Sequence, residues 1–175
     1  MALSLGVTVL NTDHFAKGGI KTLQLAVPDA STTFTDDSDG TVSAGVLAGT
    51  GIVEIDFEKE TCKMTVSASQ EKGLMLYTVG IEGYIPKING TKLKALANLR
   101  GNMMVARVTS WDGAEYMVGY DFTLGKALGT TDITNFGLVL ESIEVDTAAA
   151  LSDQNGVTFK LTSVQGEPPY EADWS

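Results

Sequence analysis

The sequence predicts a mainly β protein: an antiparallel β-sandwich or barrel with one short α-helix packed on it. Three observations lead there. Apolar and polar residues alternate with period two in several runs, without exception in Val53-Glu54-Ile55-Asp56-Phe57-Glu58, the pattern of a sheet with one buried and one wetted face. Turn signals rich in Gly, Asp and Pro separate these runs. Only residues 89–101, NGTKLKALANLRG, carry a helical pattern, with Leu93, Leu96, Ala97 and Arg100 at the spacing of one face. Asn89 or Thr91 can cap that helix, and Gly101 can take the left-handed conformation that ends it. At 175 residues the chain is long enough to bury about 70% of the surface its unfolded form exposes. We read it as a single β-sandwich domain over 1–175 with an N-terminal arm (1–16), a long loop (29–51) and an extended C-terminal tail (165–175).

The opening ten residues are apolar but irregular, and read as an arm or as an edge strand that orders against a neighbour. Lys17-Gly18-Gly19 is a turn into a half-buried strand, Ile20–Val27, which places Leu23, Leu25 and Val27 on one face and stops at Pro28. Residues 29–51 are rich in Ser, Thr, Asp, Gly and Ala and read as a long loop, with a short β-ribbon on either side of Ser38-Asp39-Gly40. The acidic alternating run follows, and Cys62, Met64 and Val66 repeat its pattern after one short connection. These two runs are expected to pair antiparallel, with Lys63 offsetting the carboxylates across the pair. Residues 74–85 form a longer strand in which Gly80 and Gly83 mark bulge or bend points, closed by Pro86. After the helix, strands over 103–110 and 115–122 flank Trp111-Asp112-Gly113-Ala114, a hairpin turn because Asp-Gly readily takes the required positive φ angles. Residues 124–135 are a second loop, 136–145 and 156–164 two closing strands, and 165–175, with its Pro-Pro pair, an extended tail.

Twelve basic against twenty-two acidic residues give a formal charge of −10, which argues against sequence-independent clamping of nucleic acid by clustered Lys and Arg. An acidic surface does suit DNA that must pass without sticking. No basic residue precedes the first apolar stretch, which Ser4, Gly6 and Thr8 interrupt, so a secretory signal is not expected. No apolar run approaches the roughly eighteen residues of a membrane helix, and no membrane partner is expected. The single cysteine, Cys62, sits in a strand-like run and reads as a small buried hydrophobe; the lack of a disulfide framework fits an intracellular origin.

Residues for catalysis are scarce. The one histidine, His14, lies in the poorly patterned N-terminal segment, and no Gly-x-Ser-x-Gly elbow exists. One His and one Cys make a poor zinc site. Asp36-Asp37-Ser38-Asp39-Gly40 has the look of a calcium loop without its full ligand set. Glu54, Asp56 and Glu58 project from one strand face about 7 Å apart, a wetted sheet face more simply than a glycosidase pair. The glycine-rich stretches lack the P-loop Lys-Ser/Thr pair and the dinucleotide fingerprint. No enzyme activity, cofactor or metal is expected. Aromatics in the tail, Tyr170 and Trp174, suit anchoring to a partner.

The layout resembles that of bacteriophage tail tube proteins and the inner-tube proteins of contractile injection machines. The resemblance rests on Lys17-Gly18-Gly19-Ile20-Lys21 before an apolar strand, the helix around Thr91-Lys92-Leu93-Lys94-Ala95-Leu96, the hairpin at Trp111-Asp112-Gly113, and the closing Gly156-Val157-Thr158-Phe159-Lys160-Leu161-Thr162 strand followed by Glu167-Pro168-Pro169-Tyr170. It implies a virion structural protein, assembled in the host bacterial cytoplasm, that forms hexameric rings stacked into a hollow tube. DNA would slide through the lumen without specific binding, and other tail or connector proteins would be partners. Under this resemblance Phe34, Asp37, Asp39, Val42, Tyr170 and Trp174 are inter-subunit contact candidates, and Glu54, Asp56 and Glu58 are lumen-facing acidic candidates. A tail terminator or head–tail joining protein of the same fold, and a monomeric sandwich binding glycans or a host surface through Trp111, Tyr116 and Tyr120, are the alternatives.

Overall fold

The computed structural model describes residues 19–28, 33–36, 41–46, 50–71, 73–87, 89–121, 126–127, 137–146, 155–166 and 169–173. Their elements run β1 (Ile20–Val27), β2 (Thr33–Asp36), β3 (Thr41–Val46), β4 (Thr50–Asp56), β5 (Cys62–Glu71), β6 (Leu74–Pro86), α1 (Gly90–Asn98), β7 (Val105–Ser110), β8 (Glu115–Val118), β9 (Tyr120–Asp121), β10 (Lys126–Ala127), β11 (Val139–Asp146), β12 (Gly156–Gln165) and β13 (Tyr170–Asp173). One sheet has the order β2-β3-β13-β8-β7-β1-β4, a second β11-β12-β6-β5, and β10-β9 form a small ribbon. Every pairing is antiparallel except β13 with β3. Among the described residues the two larger sheets do not close, so the fold is a sandwich and not a barrel.

Alternation explains the sandwich. Leu23 and Leu25 of β1, Ala106 and Val108 of β7 and Val118 of β8 face Val79 and Ile81 of β6 and Val157, Phe159 and Leu161 of β12 in one buried core. Along these strands the core takes alternate side chains, while Ala26, Val105 and Met117 are buried outside that cluster, and burial of apolar surface at roughly 25 cal/mol per Å² drives the two sheets together. A bridge between Met104 and Leu138, with N–H···O distances of 2.8 and 3.0 Å, ties the start of β7 to the start of β11.

The helix forms where its pattern predicts. Asn89 is the N-cap, its side-chain oxygen accepting from the Lys92 N–H at 2.8 Å, and Gly101 follows the helix at φ +78°. Its packed face is the leucine one. Leu96 and Leu99 are buried and Leu93 is half-buried, whereas Ala97 and Arg100 are exposed. Lys92 is half-buried, and its ammonium donates to the carbonyls of Pro86 (2.9 Å) and Lys87 (3.2 Å).

Three other expectations need correction. The runs at 53–58 and 62–67 do not pair: β4 pairs with β1 and β5 with β6, in different sheets. Phe57 N–H donates to Lys21 C=O at 2.8 Å, Glu60 takes φ +67°, and the chain crosses between the layers. Alternation reports which face is buried and carries no information on the partner. Lys63 accordingly meets Glu82 at 3.0 Å, and not the carboxylates of β4. Gly80 and Gly83 are not bulges, since β6 keeps regular register with both β5 and β12 through them. Gly83 instead makes room for aromatic rings: a Cβ there would lie 2.7 Å from Phe159 Cζ and 2.9 Å from Phe57 Cε1. Within the C-terminal tail, residues 170–173 form β13 in the interior of the large sheet, between β3 and β8. The ribbon expected inside the 29–51 loop exists as β2 and β3.

Candidate functional site

The four-stranded sheet offers the most distinctive surface. Register assigns its faces. Cys62, Met64 and Val66 of β5 lie opposite Gly83, Ile81 and Val79 of β6, which lie opposite Phe159, Leu161 and Ser163 of β12; this is the core face. On β11 the core-face partners are Leu140 opposite Leu161, then Ile143 opposite Phe159 and Val145 opposite Val157. A register shift between Leu140 and Ser142 moves the apolar phase from even to odd positions, which is how a bulge keeps both halves of a strand facing inward.

The outer strands of this sheet outrun their cover. Val66 is 45% exposed, Ile143 36% and Val145 44%, although all three belong to the core face. Met75, at 49%, lies on the same face of the β5–β6 hairpin, beyond the point where β12 stops pairing. Every side chain from Thr65 to Glu71 and from Glu141 to Asp146 is exposed. Among the described residues both edges lack a partner strand and are long and partly apolar, the type of edge that pairs with another strand unless something blocks it.

The outer face of the same sheet carries more acidic than basic residues, with Val139 and Val164 also exposed on it. Lys63 meets Glu82, and Lys160 meets Glu141 at 2.9 Å. The Thr162 hydroxyl also donates to Glu141, and these two hydrogen bonds, the hydroxyl's first, hold the Glu141 carboxyl below its usual range. Glu71, Glu144 and Asp146 are exposed on this face as well. A hollow of about 250 Å³ beside it is lined by Glu60, Lys63, Glu82, Tyr84 and Thr158.

Glu54 and Asp56, in contrast, stand on the outer face of the large sheet, on its edge strand β4, with Glu58 just beyond. Thr22 Oγ1 donates to Asp56 at 2.9 Å and Gln24 Nε2 donates to Glu54, so two of the three carboxylates belong to a cross-strand polar ladder. Two strands along, Arg107 grips Glu115 with N···O distances of 2.7 to 3.2 Å. Of the contact candidates, Phe34, Val42 and Tyr170 fall on β2, β3 and β13 of this sheet. Asp37, Asp39 and Trp174 lie outside the described residues, as does His14.

Chemistry-bearing groups do not converge among the described residues, where no set of three His, Cys, Asp or Glu side chains is placed to hold a metal ion. Cys62 is buried and its thiol is pushed up to about 12, chiefly by desolvation, which removes the thiolate a nucleophile needs. Trp111 is half-buried with the Lys21 and Lys59 ammonium groups 6.0 and 5.6 Å from its ring, while Tyr116 packs against the core. The two rings thus do not form a common surface platform. No described helix is long and apolar enough to cross a membrane.

The edge surface escaped sequence reading because alternation does not say which strands are outermost. One signal was present: the slip in apolar phase between Leu138-x-Leu140 and Ile143-x-Val145. Comparison of the chain with protein-family profiles, with characterised proteins and with solved structures finds no match.

Proposed function

We propose that this chain is a self-assembling structural subunit, of the kind its layout resembles in phage tail tubes, whose four-stranded sheet joins edge to edge with those of its neighbours in a ring. The observation that carries the reading is the pair of long edges, β5 and β11, unpaired among the described residues, with Val66, Ile143 and Val145 exposed along them. In a sheet of four antiparallel strands the first and last run in opposite directions. A copy generated by rotation about an axis parallel to the strands then meets β5 with its β11 antiparallel, and the alternation continues round the ring. Edge pairing of this heterologous kind closes without leaving a free edge.

Six copies would contribute about twenty-four strands, which at about 4.8 Å each give a backbone diameter of roughly 37 Å, room for a DNA duplex inside the side chains. With the core face turned toward the second sheet, the lumen receives the outer face. This transfers the proposed acidic lining from Glu54, Asp56 and Glu58 to Glu82, Glu141, Glu144 and Asp146, an excess of carboxylates over Lys63 and Lys160 that repels phosphate. Contacts to other tail proteins follow from the same reading, as does a place in the virion.

Electron microscopy and light scattering of the purified chain at rising concentration test this. Rings or tubes are expected, and Val66→Lys with Val145→Lys should abolish them while far-ultraviolet circular dichroism stays unchanged. A protein monomeric at every salt and protein concentration refutes the reading; rings that never stack would assign the subunit to a terminator or joint.

A further inference from the structure

Residues of β4, of the end of β6 and of α1 line a cleft of about 330 Å³, a volume within the range of ligand sites. Its walls are apolar: Val53 and Ile55 of β4, Ile85 and Pro86 of β6, and Leu96 of α1. All but Leu96 are half-buried, so apolar surface there gains by being covered. The cleft is also held in shape. Asn89 caps α1, and the Lys92 ammonium in its first turn donates to the carbonyls of Pro86 and Lys87, pinning the helix to the end of β6. An occupant therefore meets a preformed site.

Charge at the rim selects the occupant. Glu54, Asp56 and Glu58 line the cleft with a single ammonium, that of Lys92. The Glu54 and Asp56 carboxylates accept from Gln24 and Thr22, neutral donors that leave the negative charge in place. Alternate residues of a strand project on one side about 7 Å apart, so these carboxylates form a row and do not converge on one point. A small amine would use only one of them. A row with that repeat matches cationic side chains at every second position of an extended chain, whose intervening residues turn the other way, onto the apolar walls.

We propose that this cleft docks a partner protein through an extended segment in which Lys or Arg alternates with large apolar residues. Recognition runs through side chains and does not need main-chain pairing with β4. It is independent of ring formation, which uses the other sheet, and it gives Glu54, Asp56 and Glu58 a role outside the lumen.

The probe is a fluorescein-labelled Lys-Leu-Lys-Leu-Lys peptide, titrated with the full-length chain and read by anisotropy. Saturable binding is expected. Replacing both leucines by serine should weaken it roughly tenfold or more through lost apolar burial. Glu54→Gln with Asp56→Gln should weaken it roughly fivefold, with the larger effect at low salt. Ala95→Phe, which places a ring in the cleft from α1, should abolish binding while far-ultraviolet circular dichroism stays unchanged. Glu141→Gln with Glu144→Gln, on the other sheet, should leave binding unaltered, which separates the cleft from general attraction to a chain of charge −10. The proposal is overturned by a lack of saturable binding, by equal affinity for the serine peptide or for Glu-Leu-Glu-Leu-Glu, by binding that survives either cleft variant, or by a matching loss in the Glu141 and Glu144 variant. Ring assembly, read by microscopy on the same proteins, reports separately on the four-stranded sheet.

Discussion

Replacing Gly83 by alanine probes the tightest point of the core. Alanine ordinarily suits a strand interior better than glycine by about 0.5–1 kcal/mol, because glycine loses more backbone freedom on folding. At this position the new methyl group would sit 2.7 and 2.9 Å from two atoms of the Phe159 ring and 2.9 Å from the Phe57 ring. Neither ring can swing clear: Phe159 is fully buried, Phe57 is 6% exposed, and their centroids stand 6.0 Å apart with a 31° tilt. Overpacking of this sort costs about 1–3 kcal/mol. Gly83→Ala should therefore lose about 0.5–2 kcal/mol net, a fall in Tm of about 1–8 °C for a domain of this size. Urea titration below any assembly concentration is the direct assay. Gly80→Ala is the internal control, since its Cβ meets the Thr65 hydroxyl at 3.1 Å and no ring. Phe159→Leu should rescue part of the loss, with a coupling energy of about 0.5–3 kcal/mol. A neutral or stabilising Gly83→Ala, or additivity with Phe159→Leu, refutes the packing argument.

Leu96→Ala should destabilise the subunit by about 2–5 kcal/mol, since Leu96 is 2% exposed between α1 and the core; a loss under about 1 kcal/mol by denaturant titration would show that the helix is not a core element. Cys62 should resist alkylation in the folded protein at pH 8 and react on unfolding. Its raised pKa also sets a pH dependence: the neutral thiol favours the fold at every pH below the ordinary value of 9.0, and that contribution is lost as pH climbs from there toward about 12. Cys62→Ala should flatten the alkaline limb of the stability curve, and an unchanged limb would count against this assignment.

Period-two alternation made the sandwich legible, and the capped, glycine-stopped helix was legible nearly to the residue. The Trp111-Asp112-Gly113 turn was equally clear: Gly113 takes φ +97°, and the Ser110 hydroxyl and the Ala114 N–H both hold the Asp112 carboxylate. Partnership between strands was legible where a tight turn joins them, as for β7 with β8 and β2 with β3, but not between strands of different hairpins. The short connection from Phe57 to Cys62 looks in sequence like a hairpin, yet it passes from one layer to the other because both residues bury into the core they share. The strand breaks near Gly119, at φ +88°, where any side chain would place a Cβ 2.7 Å from the Met104 carbonyl oxygen; that collision depends on a segment remote in sequence. Likewise, Val66, Ile143 and Val145 carry the same residue types as their buried neighbours, and only the extent of the opposing sheet leaves them uncovered.

The position of β13 bears on how the molecule comes into being. Its register joins Glu171 to Thr41 on one side and to Tyr116 on the other, so among the described residues β2 and β3 reach the rest of the large sheet through 170–173. During synthesis the β2–β3 ribbon has no site to join until those residues have left the ribosome. Pairings this distant in sequence are slow to form because chain closure comes before any gain from contact. Trimming the chain before Tyr170 would release the ribbon while leaving the Phe159 core intact, so the last strand acts as a completion step for one border of the sheet.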